Sequence, residues 1–366
     1  VGYISRNNNF DLLRLFAALQ VLYTHSVIHL NLWPGPHWLY LLLRSLPGVP
    51  IFFVISGFLV TDSYLRSLSA GGFAIRRILR IYPALIVNIA MVEMIVAITG
   101  GFSPLVDALN YVAYLTVFAV TASANWADFF FDSPYISAGM FERYPTTGVL
   151  WTLTVELTFY FALPLLIEAW RRSPKIGAFY LASFGLLSMY LSLHFNVSDK
   201  WNTFVSLSIG PYFWIFAFGV AARLYWSNVR LIFEDRAAIW LIVLVTSNMF
   251  LPEGSAPNFY SHPSLIVFAT ATLMAGTVIS VAFTHPRPEV LRGYDISYGV
   301  YLWHILPIYT MIILGWTERL RYWPVIVGAS IALALLSFVL VERPTMNLRQ
   351  HQPTTRSPRS GLTPVE

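Results

Sequence analysis

What most constrains this chain is a succession of apolar segments, each near the length that crosses a bilayer. A membrane helix takes about 20 mostly apolar residues. Eleven stretches approach that length, at about 10–30, 48–65, 78–99, 104–121, 148–169, 176–195, 203–222, 237–251, 263–284, 296–316 and 323–341. The chain is also poor in charge. Of 366 residues, 57% are hydrophobic and 11% are charged, against roughly 25% charged in a soluble domain. With a mean hydropathy of +0.62, it cannot cover a soluble globule with polar surface. A soluble enzyme and a disordered chain are both excluded on these grounds. There is no cysteine, which removes disulfides, thiolate nucleophiles and Cys-ligated metals and leaves the redox compartment open. The first stretch is not read as a signal peptide, because Arg14 lies inside it and no small-residue cleavage site follows.

The basic residues orient the segments. Positive charge concentrates at 66–80, 171–175, 223–236, 287–292 and 343–359. With those stretches and the N-terminus placed in the cytoplasm, 18 of the 23 Lys and Arg lie at cytoplasmic ends, as the positive-inside rule requires. The basic pI near 9.3 therefore reads as loop charge and not as a nucleic-acid surface. Parity then demands an even number of crossings between 99 and 148. The 122–147 stretch holds Asp128, Asp132, Glu142, Arg143, Pro134 and Pro145 and cannot face lipid as a span. The 104–121 stretch is accordingly read as a re-entrant or interfacial helix. The expected fold is an all-α integral membrane bundle of about ten transmembrane helices plus that one helix, within residues 1–347. Both termini are cytoplasmic, and 348–366, rich in Pro, Ser, Thr and Arg, reads as a disordered tail.

Ionisable side chains inside spans are costly, so each is a candidate for chemistry. Asp62 is expected to pair with a loop arginine, and Glu93 has no sequence-local partner. Arg14 and His25 are eleven residues apart, so they share one helix face about 16 Å apart along the axis. A fixed cation below and an imidazole above suit acid–base work; a packed histidine and a snorkelling arginine would look the same. Glu156, in Trp151-Thr152-Leu153-Thr154-Val155-Glu156, enters from the outer end at a similar depth. It either orients His25 or belongs to a polar packing network. Arg76, Arg77 and Arg80 share a face at the start of a span, where free N–H groups attract anions. They make a cytoplasmic phosphate site or anchors to lipid headgroups. Tyr298, Tyr301 and His304 form a polar–aromatic stripe that reads as packing or binding. Ser56-Gly57 reads most simply as a small-residue helix contact. No GxSxG, HExxH, GxGxxG or P-loop pattern occurs.

Taken together, these segments resemble the membrane-bound acyltransferase 3 family. The matching pieces are Phe10-Asp11-Leu12-Leu13-Arg14 with His25, then Ile51-Phe52-Phe53-Val54-Ile55-Ser56-Gly57-Phe58, then Arg77 and Arg80 followed by Ile81-Tyr82-Pro83. The Trp151–Glu156 segment follows, then Ser297-Tyr298-Gly299-Val300-Tyr301-Leu302-Trp303-His304, and finally Val341-Glu342-Arg343-Pro344. Thr152 stands where serine is more usual. The resemblance implies an O-acyltransferase of the bacterial cytoplasmic membrane. Its donor substrate would be a cytoplasmic acyl-CoA, expected to be acetyl-CoA, and its acceptor a hydroxyl on an extracytoplasmic glycan or lipid-linked sugar. It needs no metal and no nucleic acid; its other partners are membrane lipids.

The resemblance makes Arg14 and His25 the essential pair and Arg77 and Arg80 the cytoplasmic arginine motif. On this reading Arg76, Arg77 and Arg80 are expected to hold the coenzyme A phosphates, His25 to deprotonate the acceptor hydroxyl or form a transient acyl-imidazole, and Glu156 to orient His25. Trp151, Tyr298, Tyr301 and His304 are expected to bind substrate. No fused SGNH-hydrolase-type domain is expected, so any second transfer step would fall to a separate extracytoplasmic transferase. The competing class is a proton-coupled secondary transporter or glycan exporter using Arg14, His25 and Glu156 as a proton path; no inverted repeats support it.

Overall fold

In the computed structural model the described residues are 8–32, 35–67, 69–98, 108–131, 149–194, 205–250, 264–285, 295–318 and 320–347. Among them all regular structure is helical. The first helices are α1 (Phe10–Leu30), α2 (His37–Ser45), α3 (Gly48–Leu65), α4 (Ala70–Ile98), α5 (Ala108–Thr121) and α6 (Ala124–Phe130). Next come α7 (Trp151–Arg172), α8 (Pro174–His194), α9 (Phe213–Leu224), α10 (Trp226–Phe233), α11 (Ala237–Phe250) and α12 (Leu265–Ala282). The chain closes with α13 (Ser297–Trp303), α14 (Ile305–Ile313), α15 (Trp323–Ser337) and α16 (Arg343–Asn347).

The molecule is organised around α3, which is apolar on nearly every side and buried along most of its length. A helix apolar all round belongs inside a bundle. Helices α1, α7, α9 and α12 pack against it. The α3–α9 contact is backbone to backbone. A Cβ on Gly57 would lie 2.2 Å from the Phe216 carbonyl oxygen, and one on Gly219 would lie 2.1 Å from that of Val54. Only glycine at both positions permits this approach, and it bears out the reading of Ser56-Gly57 as a helix contact. The outer helices α8 and α11 turn Phe179, Leu186, Ile242 and Phe250 outward, as side chains facing lipid do.

Six helical segments are long and apolar enough to cross a membrane, among the described residues and by length and composition alone. They are His37–Leu65, Ala70–Ile95, Trp151–Arg172, Pro174–His194, Leu265–Ala282 and Trp323–Asn347. The expected stretches at 203–222 and 237–251 become the shorter helices α9 (12 residues) and α11 (14 residues). At 14 residues, α5 is also shorter than the roughly 20 that a span takes. The 296–316 stretch is not one helix. It breaks between α13 and α14 at His304, where Pro307 has no N–H to give the carbonyl of Trp303. The inserted stretch 132–148 and the tail 348–366 lie outside the described residues.

Two intramembrane carboxylates find partners. Asp62 accepts from Arg223 Nε at 2.7 Å and pairs with Arg66. The loop-edge arginine was foreseeable; Arg223, buried inside α9, was not. Glu93 accepts from the Tyr111 hydroxyl of α5 at 3.1 Å.

Candidate functional site

Helices α1, α3, α7 and α13 surround a partly open cavity. Its wall consists of Arg14, Val49, Phe52, Phe53, Ser56, Thr152, Leu153, Glu156, Ser297, Tyr298 and Tyr301. Each polar member comes from a segment that the sequence singles out, and the bundle brings four distant segments to one place. Phe52 and Phe53 keep one side apolar, so the polar groups sit on a low-dielectric wall where their fields are strong.

The arginine end of the cavity holds a cluster that sequence reasoning missed. One oxygen of Asp295 accepts from both Arg14 and Arg80. Its other oxygen accepts from the Ser297 hydroxyl and from the Ser297 N–H at 3.2 Å. Asp295 thus caps the start of α13 while joining α1 to α4. Burial by itself would push the Asp295 carboxyl up. The Arg14 and Arg80 guanidiniums and the Ser297 hydroxyl outweigh it and hold the group below the usual carboxylate range. The available signal was an Asp-x-Ser opening a helix, which alone does not name its arginines.

The arginine motif needs a correction. Helix α4 begins at Ala70, with the Gly72 N–H donating to Ser69 Oγ at 3.0 Å. The Phe73 N–H already bonds the Ser69 carbonyl at 3.1 Å, so the N–H groups without an intrahelical partner belong to residues before Phe73, and Arg76, Arg77 and Arg80 lie further along the helix. The helix runs through Gly71-Gly72 despite the low helix propensity of glycine, with Ser69 capping its start. Of the predicted arginines only Arg14 lines the cavity. Arg80 is turned to Asp295, and the Arg77 guanidinium lies over the rings of Phe73 and Tyr160, 6.0 and 5.9 Å from their centroids.

Glu156 is placed in the cavity wall, but not against His25. Its Oε1 accepts from Ser56 Oγ at 2.6 Å and from the Tyr160 hydroxyl. The expected contact of Glu156 with His25 is not made. His25 is hydrogen-bonded instead to His304, with Nδ1 and Nε2 2.8 Å apart, the ring centroids 5.1 Å apart and the two ring planes inclined by 20°. His29 stands one turn further along α1, its ring centroid 5.6 Å from that of His25. Neither His25 nor His304 belongs to the cavity wall, which reaches Tyr301, one turn before His304.

The expected substrate-binding residues divide. Tyr298 and Tyr301 line the cavity and are also anchored. Tyr298 donates to the Ile81 carbonyl at 2.9 Å, and Tyr301 donates to the Val149 carbonyl at 2.7 Å. The Tyr301 hydroxyl also lies 2.6 Å from Thr152 Oγ1; a serine hydroxyl could do the same, which explains why threonine serves here. Trp151 packs on Phe53 and Tyr212, and its neighbours Thr152 and Leu153 reach the cavity. His304 is buried, bonded to His25 and to its own helix. No group of His, Asp or Glu suited to holding a metal ion occurs among the described residues.

The profile of the acyltransferase 3 family, described as an acyltransferase domain, matches residues 7–342. Nodulation protein 10 of Rhizobium leguminosarum bv. viciae is 46% identical over 345 residues, covering 93% of this chain and 94% of that protein. An O-acetyl transferase of Shigella phage Sf6 is 27% identical over 350 residues, covering 92% and 96%. The peptidoglycan O-acetyltransferase OatA of Listeria monocytogenes is 27% identical over 330 residues; the match covers 81% of this chain and 50% of that protein. No solved structure matches. With a family match over nearly its whole length, and with the motif segments gathered on one cavity, the chain belongs to the acyltransferase 3 family and is an acyltransferase.

Proposed function

We propose that this acyltransferase is a multi-pass O-acetyltransferase of the bacterial inner membrane. It would take an acetyl group from cytoplasmic acetyl-CoA and pass it to a hydroxyl of an extracytoplasmic glycan or glycolipid, with both termini cytoplasmic. The observation that carries this reading is the cavity, lined by Arg14 at one end and by Tyr301, one turn short of the His25–His304 pair, at the other. Two of the relatives are named for O-acetyl transfer. In Arg14 the cavity has a cation for the donor's polar groups, and its Phe52–Phe53 side is apolar enough for a thin acyl-pantetheine arm. The phosphates themselves would stay at the cytoplasmic mouth near Arg76, Arg77 and Arg80.

In the reaction His25 removes the proton of the acceptor hydroxyl. The alkoxide oxygen bonds to the thioester carbonyl carbon, the carbon–sulfur bond breaks, and the leaving thiolate takes the proton from His25. Atoms and charge balance with no further reactant.

His25→Gln and Arg14→Ala separate the roles. In proteoliposomes loaded with labelled acetyl-CoA, His25→Gln is expected to abolish acetyl transfer while coenzyme A binding stays within about twofold of the parent, a pure loss of transition-state stabilisation. Arg14→Ala is expected to weaken both. Substantial transfer by a properly inserted His25→Gln protein would remove His25 from the chemistry. Absence of any added acetyl mass on surface glycans of cells carrying the parent protein would refute the acceptor class.

A further inference from the structure

We propose that His304 is a positioning residue that holds His25 in the tautomer protonated on Nδ1, so that Nε2 of His25 carries the lone pair. The tautomer follows from hydrogen-bond accounting alone; its consequence for catalysis rests on the reading of His25 as the base of acyl transfer.

His304 Nδ1 lies 2.8 Å from the Tyr301 carbonyl oxygen and 3.3 Å from that of Val300. A carbonyl oxygen only accepts, so Nδ1 of His304 bears a proton. The ring is fully buried, and its hydrogen-bond partners are those two carbonyls and the ring of His25. With no carboxylate among them, an imidazolium there would be an uncompensated buried charge, so His304 is neutral. Its Nε2 is therefore an acceptor. The 2.8 Å contact to His25 Nδ1 can be a hydrogen bond only if His25 supplies the proton. That leaves Nε2 of His25 unprotonated. Among the described residues nothing hydrogen-bonds to it.

Both carbonyls that hold His304 belong to α13, the short helix that ends at Trp303. The ring is thus oriented by its own turn, independently of His25, and the orientation passes in one direction from backbone to His304 to His25. The opposite tautomer would point an N–H from Nε2, and a nitrogen already protonated cannot take a proton from a hydroxyl. The stripe Tyr298, Tyr301 and His304 consequently divides its work: the tyrosines face the cavity and the histidine faces the base.

The test combines a spectroscopic and a kinetic measurement. With histidine labelled by nitrogen-15 in its ring, and the His25 signals identified by their loss in His25→Gln, the parent protein in bilayers is expected to show His25 protonated at Nδ1 and bare at Nε2. His25 protonated at Nε2 in the parent would overturn the proposal, whatever the activity. This measurement needs neither a His304 variant nor turnover, so it stands apart from the acetyltransferase reading.

Kinetically, His304→Leu is expected to lower kcat by roughly 10²–10⁴-fold, the range over which a positioned base contributes, with KM for both substrates little changed. His304→Gln can place an amide oxygen near the former Nε2 and is expected to recover at least tenfold of that loss. Equal kcat for His304→Leu and His304→Gln, with the His25 signals as in the parent, would reduce His304 to a packing residue.

Discussion

Asp295 shows how one carboxylate can fix three other side chains. It is shared by Arg14 and Arg80, whose side chains keep 22% and 23% of their exposure against 15% for Asp295. Removing one partner of such a cluster strands the others. Asp295→Asn leaves two guanidiniums side by side over a neutral amide. The expected loss is bounded by the roughly 3–5 kcal/mol of a fully buried pair and is reduced by the residual exposure. It should appear as a lower midpoint of thermal unfolding in detergent, together with weaker coenzyme A binding as Arg14 loses its orientation. A variant that melts and binds like the parent would show that the arginines are held by other contacts. Glu156 answers to the same logic. Glu156→Gln keeps an acceptor for Ser56 and Tyr160 and should melt close to the parent. Glu156→Leu orphans both hydroxyls, at about 1–3 kcal/mol for each that stays buried, and should melt well below it.

At the scale of elements, the α3–α9 contact carries the closest packing and the plainest prediction. Since a Cβ at Gly57 would stand 2.2 Å from the Phe216 carbonyl oxygen, Gly57→Ala must push the helices apart. Overpacking of this kind costs about 1–3 kcal/mol, and here the obstructing atom is backbone, which cannot turn aside as a side chain can. Folded yield and melting midpoint should both fall, whereas Ser56→Ala, one residue earlier, removes a hydrogen bond and no space. Equal behaviour of the two variants would mean that the helices are not in backbone contact. The Asp62–Arg223 bridge joins the same two helices near the C-terminal end of each, so the contact is set by shape in the middle and by charge at one end. The wider turn at Phe338–Glu342 is also local in origin. Pro344 has no N–H for the Leu340 carbonyl, and a widened turn accommodates that gap. It tucks Glu342 inward, where Ser337 Oγ donates to it at 3.0 Å.

At the scale of the whole molecule, and among the described residues, a polar-lined cavity lies between α1, α3, α7 and α13, while α8 and α11 turn large apolar side chains outward. That distribution suits a protein whose exterior solvent is lipid. Its orientation is open to direct measurement because the parent has no cysteine. A single cysteine at Ser137 should react with an impermeant reagent applied outside intact cells, and one at Ser360 should react only after permeabilisation. Labelling of Ser137 only after permeabilisation would invert or reroute the charge-based topology.

The sequence by itself determined that this chain lives in a membrane, where its apolar segments lie, and that Arg14, His25, Asp62, Glu93, Glu156 and His304 had to be special. The reason is that the cost of a polar group among apolar neighbours is set by its own few turns. The glycine contact of Gly57 was legible for the same local reason. Partnerships were not legible. Arg14 meets Asp295 across 281 positions of chain and His25 meets His304 across 279. No periodicity within one segment indicates which distant segment will lie beside it. Only the tertiary structure turned Glu156 toward Ser56 and Tyr160 and set the imidazole of His304 against that of His25. Hydrogen bonds act over about 3 Å, and that proximity is created by the packing of the bundle, not by the order of the residues.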